Sequence, residues 1–239
     1  MLSNFQSPGE IAFYLFKLPV YFYGIILAIA IFVGFWTAYY LYKRFYDNEK
    51  ARCIIDFAPY LIVLGIIGAR IYYCAVNWAY YSITPLEIFN IRQGGLSVHG
   101  MIISGIIVLY ICSRIYKMSF KKLADVFLCG SILAQSIGRW GNFFNSEAFG
   151  FPTNLPWKLY IPITHRPVQF IDQDFFHPTF LYESILDLLL FLVLFSVFKK
   201  CVKIPGLAAC LYFMLYSIIR IFVESFRVDS VLYICGFPV

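Results

Sequence analysis

Residues 18–42 read LPVYFYGIILAIAIFVGFWTAYYLY, an unbroken run without a charged side chain. At ~1.5 Å per helical residue such a run is long enough to cross the ~30 Å hydrocarbon core of a bilayer. Five further apolar stretches follow, at 55–75, 94–114, 123–140, 179–198 and 204–226. The expected fold is therefore an all-α polytopic membrane protein with six transmembrane helices. Composition agrees: 61% of the 239 residues are hydrophobic and 13% charged, against roughly 45–50% and about 25% in soluble domains. A water-soluble globule is excluded. The 26 Phe and 19 Tyr, spread along the chain, exclude a disordered polypeptide as well.

The net charge of +6 reads as a topology signal and not as a nucleic-acid-binding surface, because the basic residues cluster between apolar runs. Lys43, Arg44, Lys50 and Arg52 follow the first run, Arg114, Lys117, Lys121 and Lys122 the third, and Lys199, Lys200 and Lys203 the fifth. By the positive-inside rule these loops are cytoplasmic. The N-terminus, 76–93 and 141–178 then lie outside, and 141–178, rich in Pro and aromatics, forms a small extramembrane cap on the outer face. No repeat or linker divides the chain, so residues 1–239 are expected to form one integral membrane domain. Cys53, Cys74, Cys112, Cys129, Cys201, Cys210 and Cys235 show neither a C-x-x-C nor a Cys/His ligand spacing, and read as small apolar fillers. The start, MLSNFQSPGEIAFYLFKLP, lacks the basic region and short apolar core of a cleavable signal peptide.

Ionisable residues inside apolar spans are candidate functional groups by default. With this topology Arg70 lies ~22 Å up the second span, and Arg139 and Arg220 each ~24 Å up the fourth and sixth, near the outer leaflet. Tyr23 and His99 lie close to the outer ends of their spans. Arginine at that depth, beside Asn142, Asn145 and the glycine turns Gly94-Gly95 and Gly138 to Gly141, suits an acidic lipid head group, because guanidinium meets phosphate oxygens as a planar fork. The competing reading has each arginine snorkelling to the interface or paired with Glu147, Glu183 or Glu224. His99 reads either as a general base or as a helix-packing residue. His165 reads as a surface residue, and His177, ahead of Pro178, as a cap or positioning group.

The stretch Gly138-Arg139-Trp140-Gly141-Asn142-Phe143-Phe144-Asn145-Ser146-Glu147, closing at Gly150, resembles the signature of the bacterial prolipoprotein diacylglyceryl transferases, G-R-x-G-N-F-x-N-x-E-x-x-G. The likeness extends through Tyr23-Gly24, Gly68-Ala69-Arg70, GGLSVHG around His99, Asp125, HPTFLYE at 177–183, and Tyr216, Arg220, Glu224, Phe226 and Arg227. It implies an enzyme of the bacterial cytoplasmic (inner) membrane, working at its outer, periplasmic side without metal or cofactor. Such an enzyme moves the diacylglyceryl group of phosphatidylglycerol to the lipobox cysteine thiol in a prolipoprotein signal peptide and releases glycerol phosphate.

Carried over by position, Arg139 and Arg220 become the essential arginines and His99 the proposed base. Tyr23, Asn142, Glu147, Gly150 and Tyr216 surround them, and Arg70, Gly95, Asn145, His177 and Glu224 complete the substrate-binding set. Two departures stand out. Where the family has H-G-G, this chain has His99-Gly100-Met101. Where the family has seven spans, this sequence stops just after its sixth, so it is expected to be a C-terminally shortened form.

The chemistry implied is alkyl transfer. A thiol with a pKa of about 8.5 is mostly protonated at neutral pH, so it needs a base or a cationic field, and His99 and the arginines are the respective candidates. The main rival is a membrane transporter for an anion or lipid that uses the same arginines; it would show inverted repeats and helices broken near the midplane. A second rival, suggested by Met101 and the absent last span, is a lipid-binding protein without catalytic activity.

Overall fold

The computed structural model describes residues 5–91, 94–228, 233–234 and 237–238, so Cys235 lies outside the described residues. Helices dominate: α1 (Phe22–Phe45), α2 (Arg52–Val76), the single turn α3 (Trp78–Tyr81), α4 (Val98–Ile115), α5 (Phe120–Phe144), α6 (Thr179–Cys201) and α7 (Leu207–Glu224). Among the described residues, α1, α2, α4, α6 and α7 are long and apolar enough to cross a membrane. The chain is thus a multi-pass helical membrane protein. The segment read as a fourth span is also a helix, α5, of 25 residues. Its load of Lys121, Lys122, Asp125, Gln135, Arg139 and Asn142 keeps it out of that apolar set.

Most boundaries differ from the sequence reading by a few residues, and two of the shifts have a plain structural cause. Leu18–Tyr21 belongs to no helix: it is a strand, β3, paired antiparallel with β2 (Ile11–Leu15), Pro19 facing Tyr14. The hairpin is closed by Phe16 and Lys17 at φ 47 and 69, the left-handed pair that a two-residue hairpin turn requires. Apolarity alone could not distinguish this strand from the first turn of α1. The third span likewise begins at Val98 and not at 94, because Gly94 and Gly95 take φ +87 and +74, values that interrupt a right-handed helix.

The chain divides into two compact units whose boundaries fall inside α1 and α5. In the unit comprising 38–126, α2 packs on α4 through small residues. A Cβ on Gly68 would run into the Ser104 side chain, and one on Gly100 would meet the Gly68 carbonyl and lie 2.5 Å from Tyr72 Cβ. Small residues let apolar helices approach where lipid offers no hydrophobic gain. Met101 is half exposed at 45% and packs over Gly65. Close approach at this crossing therefore depends on Gly100 and tolerates the methionine that follows.

In the unit comprising 1–37 and 127–239, a small sheet of order β1-β4-β5 joins Phe5–Gln6, Leu159–Tyr160 and Phe175–Phe176. Beneath it Phe143, Phe149, Leu159, Ile161, Phe176 and Phe180 form a buried cluster. Arg166 ties the surrounding loop together, donating to the Ile161 carbonyl and pairing with Asp174 at 2.7 Å. Cys74, Cys112, Cys129 and Cys201 are buried, as expected of apolar fillers, whereas Cys53 is half-buried and Cys210 exposed.

Candidate active site

Three helices of the unit comprising 1–37 and 127–239 turn polar residues toward one seam. Residues four apart on a helix share a face, and here Gln135 and Arg139 on α5, Glu183 and Asp187 on α6, and Tyr212, Tyr216, Arg220 and Glu224 on α7 obey that spacing. Glu183 is the hub, 2% exposed. One of its oxygens accepts a very short hydrogen bond from Arg139 Nη2. Arg220 Nη1 reaches both carboxylate oxygens at 3.1 and 3.2 Å, and the Tyr216 hydroxyl approaches Oε1 at 3.5 Å. The other fork of Arg220 pairs with Glu224, one turn along α7, at 2.5 Å. Taking a carboxylate out of water is costly unless it is paired and hydrogen-bonded, and two guanidinium groups meet that need here. The arginine side chains keep 22% and 34% of their surface open, so their remaining donors stay reachable.

The seam between α5 and α6 is held in register by Ser136 and Ser184. Each hydroxyl donates to the other residue's backbone carbonyl at 2.8 Å. At the end of α5 the ring of Tyr23 lies against Gly141, where a Cβ would sit 2.6 Å from Cδ2. Any other residue at 141 would displace the tyrosine. Beyond the helix, Asn145 donates to the Glu147 carboxylate at 2.8 Å, and the Glu147 N–H returns to the Asn142 carbonyl at 3.0 Å. Ser146 and Ala148 take left-handed φ of 53 and 54, strained positions of the kind that collect at functional sites.

Gly150 is pinned by its own N–H to the His177 carbonyl at 2.8 Å, and a Cβ there would strike the Phe226 carbonyl and lie 2.8 Å from His177 Cβ. The signature's last glycine therefore marks a three-way backbone contact. His177 Nδ1 lies 3.1 Å from the Tyr182 hydroxyl, which also receives Trp157 Nε1–H at 2.9 Å. With that donor in place the hydroxyl can donate to the imidazole, whose pKa desolvation lowers from the ordinary 6.5. A neutral ring in a positioning role fits this arrangement.

The structure thus brings Arg139, Arg220, Tyr216 and Glu224 together around Glu183, with Tyr23, Asn142, Asn145, Glu147, Gly150 and His177 in the same unit. Arg70, Gly95 and His99 belong to the other. His99 opens α4 on an exposed position, its ring 6.0 Å from that of Tyr72. Arg70 departs from both sequence readings, phosphate ligand and snorkelling or carboxylate-paired side chain. Its five N–H donors go to five backbone carbonyls, those of Glu87, Ile88, Asn90, Gly94 and Gly95, at 2.5–3.1 Å. Gly95 is glycine because a Cβ would collide with that guanidinium. With every donor committed, Arg70 organises a loop and has none left for a phosphate.

Sequence reasoning passed over Glu183 as anything but an arginine's neutraliser, and passed over Asp187, Gln135 and Tyr212 altogether. The signal was present: two carboxylates four residues apart inside an otherwise apolar helix.

A buried carboxylate thus bridges two arginines from separate helices of a multi-pass membrane protein. The family description of prolipoprotein diacylglyceryl transferase matches residues 10–238. Among similar proteins are phosphatidylglycerol–prolipoprotein diacylglyceryl transferases of Synechococcus sp. (strain CC9902), 43% identical over 95% of this chain and 82% of the relative, and of Thermosynechococcus vestitus, 41% identical over 97% and 86%. The enzyme of that name from Synechocystis sp. is 42% identical over 96% and 82%. The chain belongs to the prolipoprotein diacylglyceryl transferase family.

Proposed function

We propose that the chain performs the reaction its relatives are named for: it takes the diacylglyceryl group of phosphatidylglycerol and transfers it to a prolipoprotein. The observation that carries the site assignment is the pairing of Arg139 and Arg220 on one buried glutamate. Two cations converge there, and the phospholipid phosphate takes over the position that Glu183 occupies between them.

In the reaction, the thiolate of the lipobox cysteine in the signal peptide attacks the glyceryl carbon bonded to the phosphate ester oxygen. A C–S bond forms, the C–O bond breaks, and glycerol phosphate leaves with the bonding pair. Arg139 and Arg220 stabilise the charge that grows on the leaving phosphate, where a preorganised donor contributes ~3–4 kcal/mol. His99 accepts the thiol proton. Tyr23, Asn142, Asn145, Glu147, Gly150 and His177 shape the surroundings, Tyr216 and Glu224 orient the arginines, and the Arg70–Gly95 contact holds the turn leading to His99.

The site faces the outer side of the bacterial inner membrane. The Lys/Arg clusters at the C-terminal ends of α1, α4 and α6 support cytoplasmic placement of those ends. In this reading α5 is the fourth of six spans despite its polar residues, and 141–178 is the outer cap, supported by its own sheet and aromatic cluster.

The test supplies purified protein in detergent with phosphatidylglycerol and a lipobox peptide. Glycerol phosphate release should match thioether formation one for one and vanish with a Cys→Ser peptide. Release without the thiol, or anion movement across proteoliposomes in its absence, would defeat the transferase in favour of the transporter. His99→Gln should recover part of its lost rate as pH approaches the thiol pKa of about 8.5, whereas Arg220→Ala should not. A flat His99→Gln deficit would remove His99 as the base.

A further inference from the structure

One turn along α6 from the arginine clamp lie three buried oxygens without a hydrogen-bond partner among the described residues: both of Asp187, and Oε1 of Gln135. Asp187 is fully enclosed. It does not sit among apolar groups alone, since the helical spacing that builds the clamp builds a second tier beneath it. Arg139, Glu183, Tyr216 and Arg220 make the upper tier, and Gln135, Asp187 and Tyr212, each four residues away along its helix, make the lower.

The lower tier is short of donors. Gln135 commits one of its two amide N–H groups to the Tyr212 hydroxyl at 2.8 Å, which leaves its second N–H and one phenolic hydrogen for three acceptor atoms. Buried acceptors left in that state are costly. The charged groups acting on Asp187 are Glu183 on its own helix, Arg139 from α5 and Arg220 from α7. Tyr212 and Tyr216 on α7 are close enough to feel its charge, while Glu224 is engaged with Arg220.

The upper tier has a matching difficulty. Its two guanidinium groups already hold Glu183, and Arg220 also holds Glu224. A phosphodiester that takes both guanidinium forks displaces Glu183, a side chain only 2% exposed. The polar group available to the displaced carboxylate on its own helix is Asp187. Two bare carboxylates repel, but a pair sharing one proton makes a strong O–H···O⁻ bond.

We propose that Asp187 is a positioning residue that receives Glu183 when the phospholipid phosphate takes the arginines. Glu183 exchanges its contacts with Arg139 and Arg220 for one hydrogen bond donated by the Asp187 carboxylic acid. No covalent bond changes, and the proton stays within the pair. The proposal rests on the reading of Arg139 and Arg220 as the phosphate clamp, and it makes substrate binding, more than the chemical step, depend on Asp187.

The experiment measures KM for phosphatidylglycerol and kcat for transfer to a lipobox peptide, between about pH 6 and 9, spanning the reference range of the reacting thiol. The full chain in detergent is compared with Asp187→Asn, Asp187→Ala and Asp187→Leu. An amide can donate to Glu183 without holding an exchangeable acid proton. Asp187→Asn should therefore keep KM within about threefold of the unmodified chain and lose the rise of KM with pH that a shared proton imposes. Asp187→Ala and Asp187→Leu should raise KM roughly ten- to hundredfold with a smaller change in kcat; the leucine fills the space and separates a lost donor from a cavity. Normal KM in the leucine variant would overturn the proposal, as would an asparagine variant that titrates like the unmodified chain or binds as poorly as the alanine one. Transfer by the unmodified chain together with an unaffected alanine variant would sink this inference and leave the clamp standing. An unmodified chain that releases no glycerol phosphate would sink both.

Discussion

Arg70 and Arg139 share a residue type and a place on a 25-residue helix with a glycine one or two positions before them, yet the structure uses them in opposite ways. Arg70 gives all five donors to main-chain carbonyls of one short loop. Arg139 binds the side-chain carboxylate of Glu183. A guanidinium enclosed by backbone is structural mortar, whereas one paired with a side-chain carboxylate is the arrangement on which the proposed phosphate clamp rests. Depth in the membrane does not distinguish the two roles; the identity of the acceptors does.

The comparison is broken most severely at Arg139. Arg139→Lys should lose roughly 10²–10³ in kcat, nearly as much as Arg139→Ala, because lysine keeps the charge and loses the planar fork. Thermal unfolding in detergent should move little in either variant. Near-normal transfer by the lysine form would show that a point charge suffices.

Arg70→Lys should do the reverse. Lysine has three donors for five carbonyls, and each buried carbonyl left unpaired costs ~1–3 kcal/mol. The expected outcome is a lowered unfolding temperature and faster proteolysis between Glu87 and Gly95, with KM for phosphatidylglycerol close to normal. A raised KM with unchanged stability would return Arg70 to the phosphate-binding set.

Gly150→Ala probes the backbone contact that the signature's last glycine permits. Overpacking against the Phe226 carbonyl and His177 should cost about 1–3 kcal/mol, read as a lower unfolding temperature with a several-fold loss of transfer. An alanine variant as stable as the parent would show that the loop yields.

The smallest effect concerns His177. Its folded pKa lies below the ordinary 6.5, so the unfolded chain binds the proton more readily and acid favours unfolding. Stability from this site should be complete above about pH 6.5 and fall away as pH drops through the depressed folded value. Hydrogen exchange at the Gly150 and Phe151 amides should accelerate over that window, and His177→Gln should abolish the dependence. An unchanged profile in the variant would assign it to other groups.

Much of this was legible in the sequence because membrane spans announce themselves by length and apolarity, and because an arginine in such a span has few places to go. The signature from Gly138 to Gly150 made the active end of α5 readable. What the sequence withheld was pairing. Arg70 and Arg139 look alike until the acceptors around them are known, and those of Arg70 are carbonyls 17 to 25 residues away. Glu183 was visible only as a possible neutraliser, since its service to two arginines depends on how α5, α6 and α7 pack. The hairpin at Leu18–Tyr21 hid inside an apolar run because strand and helix are equally greasy there, and only a turn at Phe16-Lys17 decided between them.

Most hydroxyls in these helices bond to their own backbone, as Ser104, Ser196 and Ser217 do. Ser136 and Ser184 instead trade hydrogen bonds across two helices. A reciprocal exchange works like the two pins of an electrical plug: it tolerates no slippage, since sliding by one residue would unseat both contacts together. Arg139 stands three residues beyond one pin and Glu183 beside the other, so their alignment is inherited from the serines. Those two serines hold Arg139 and Glu183 in fixed register, and Arg220 joins them from α7, which packs along α6.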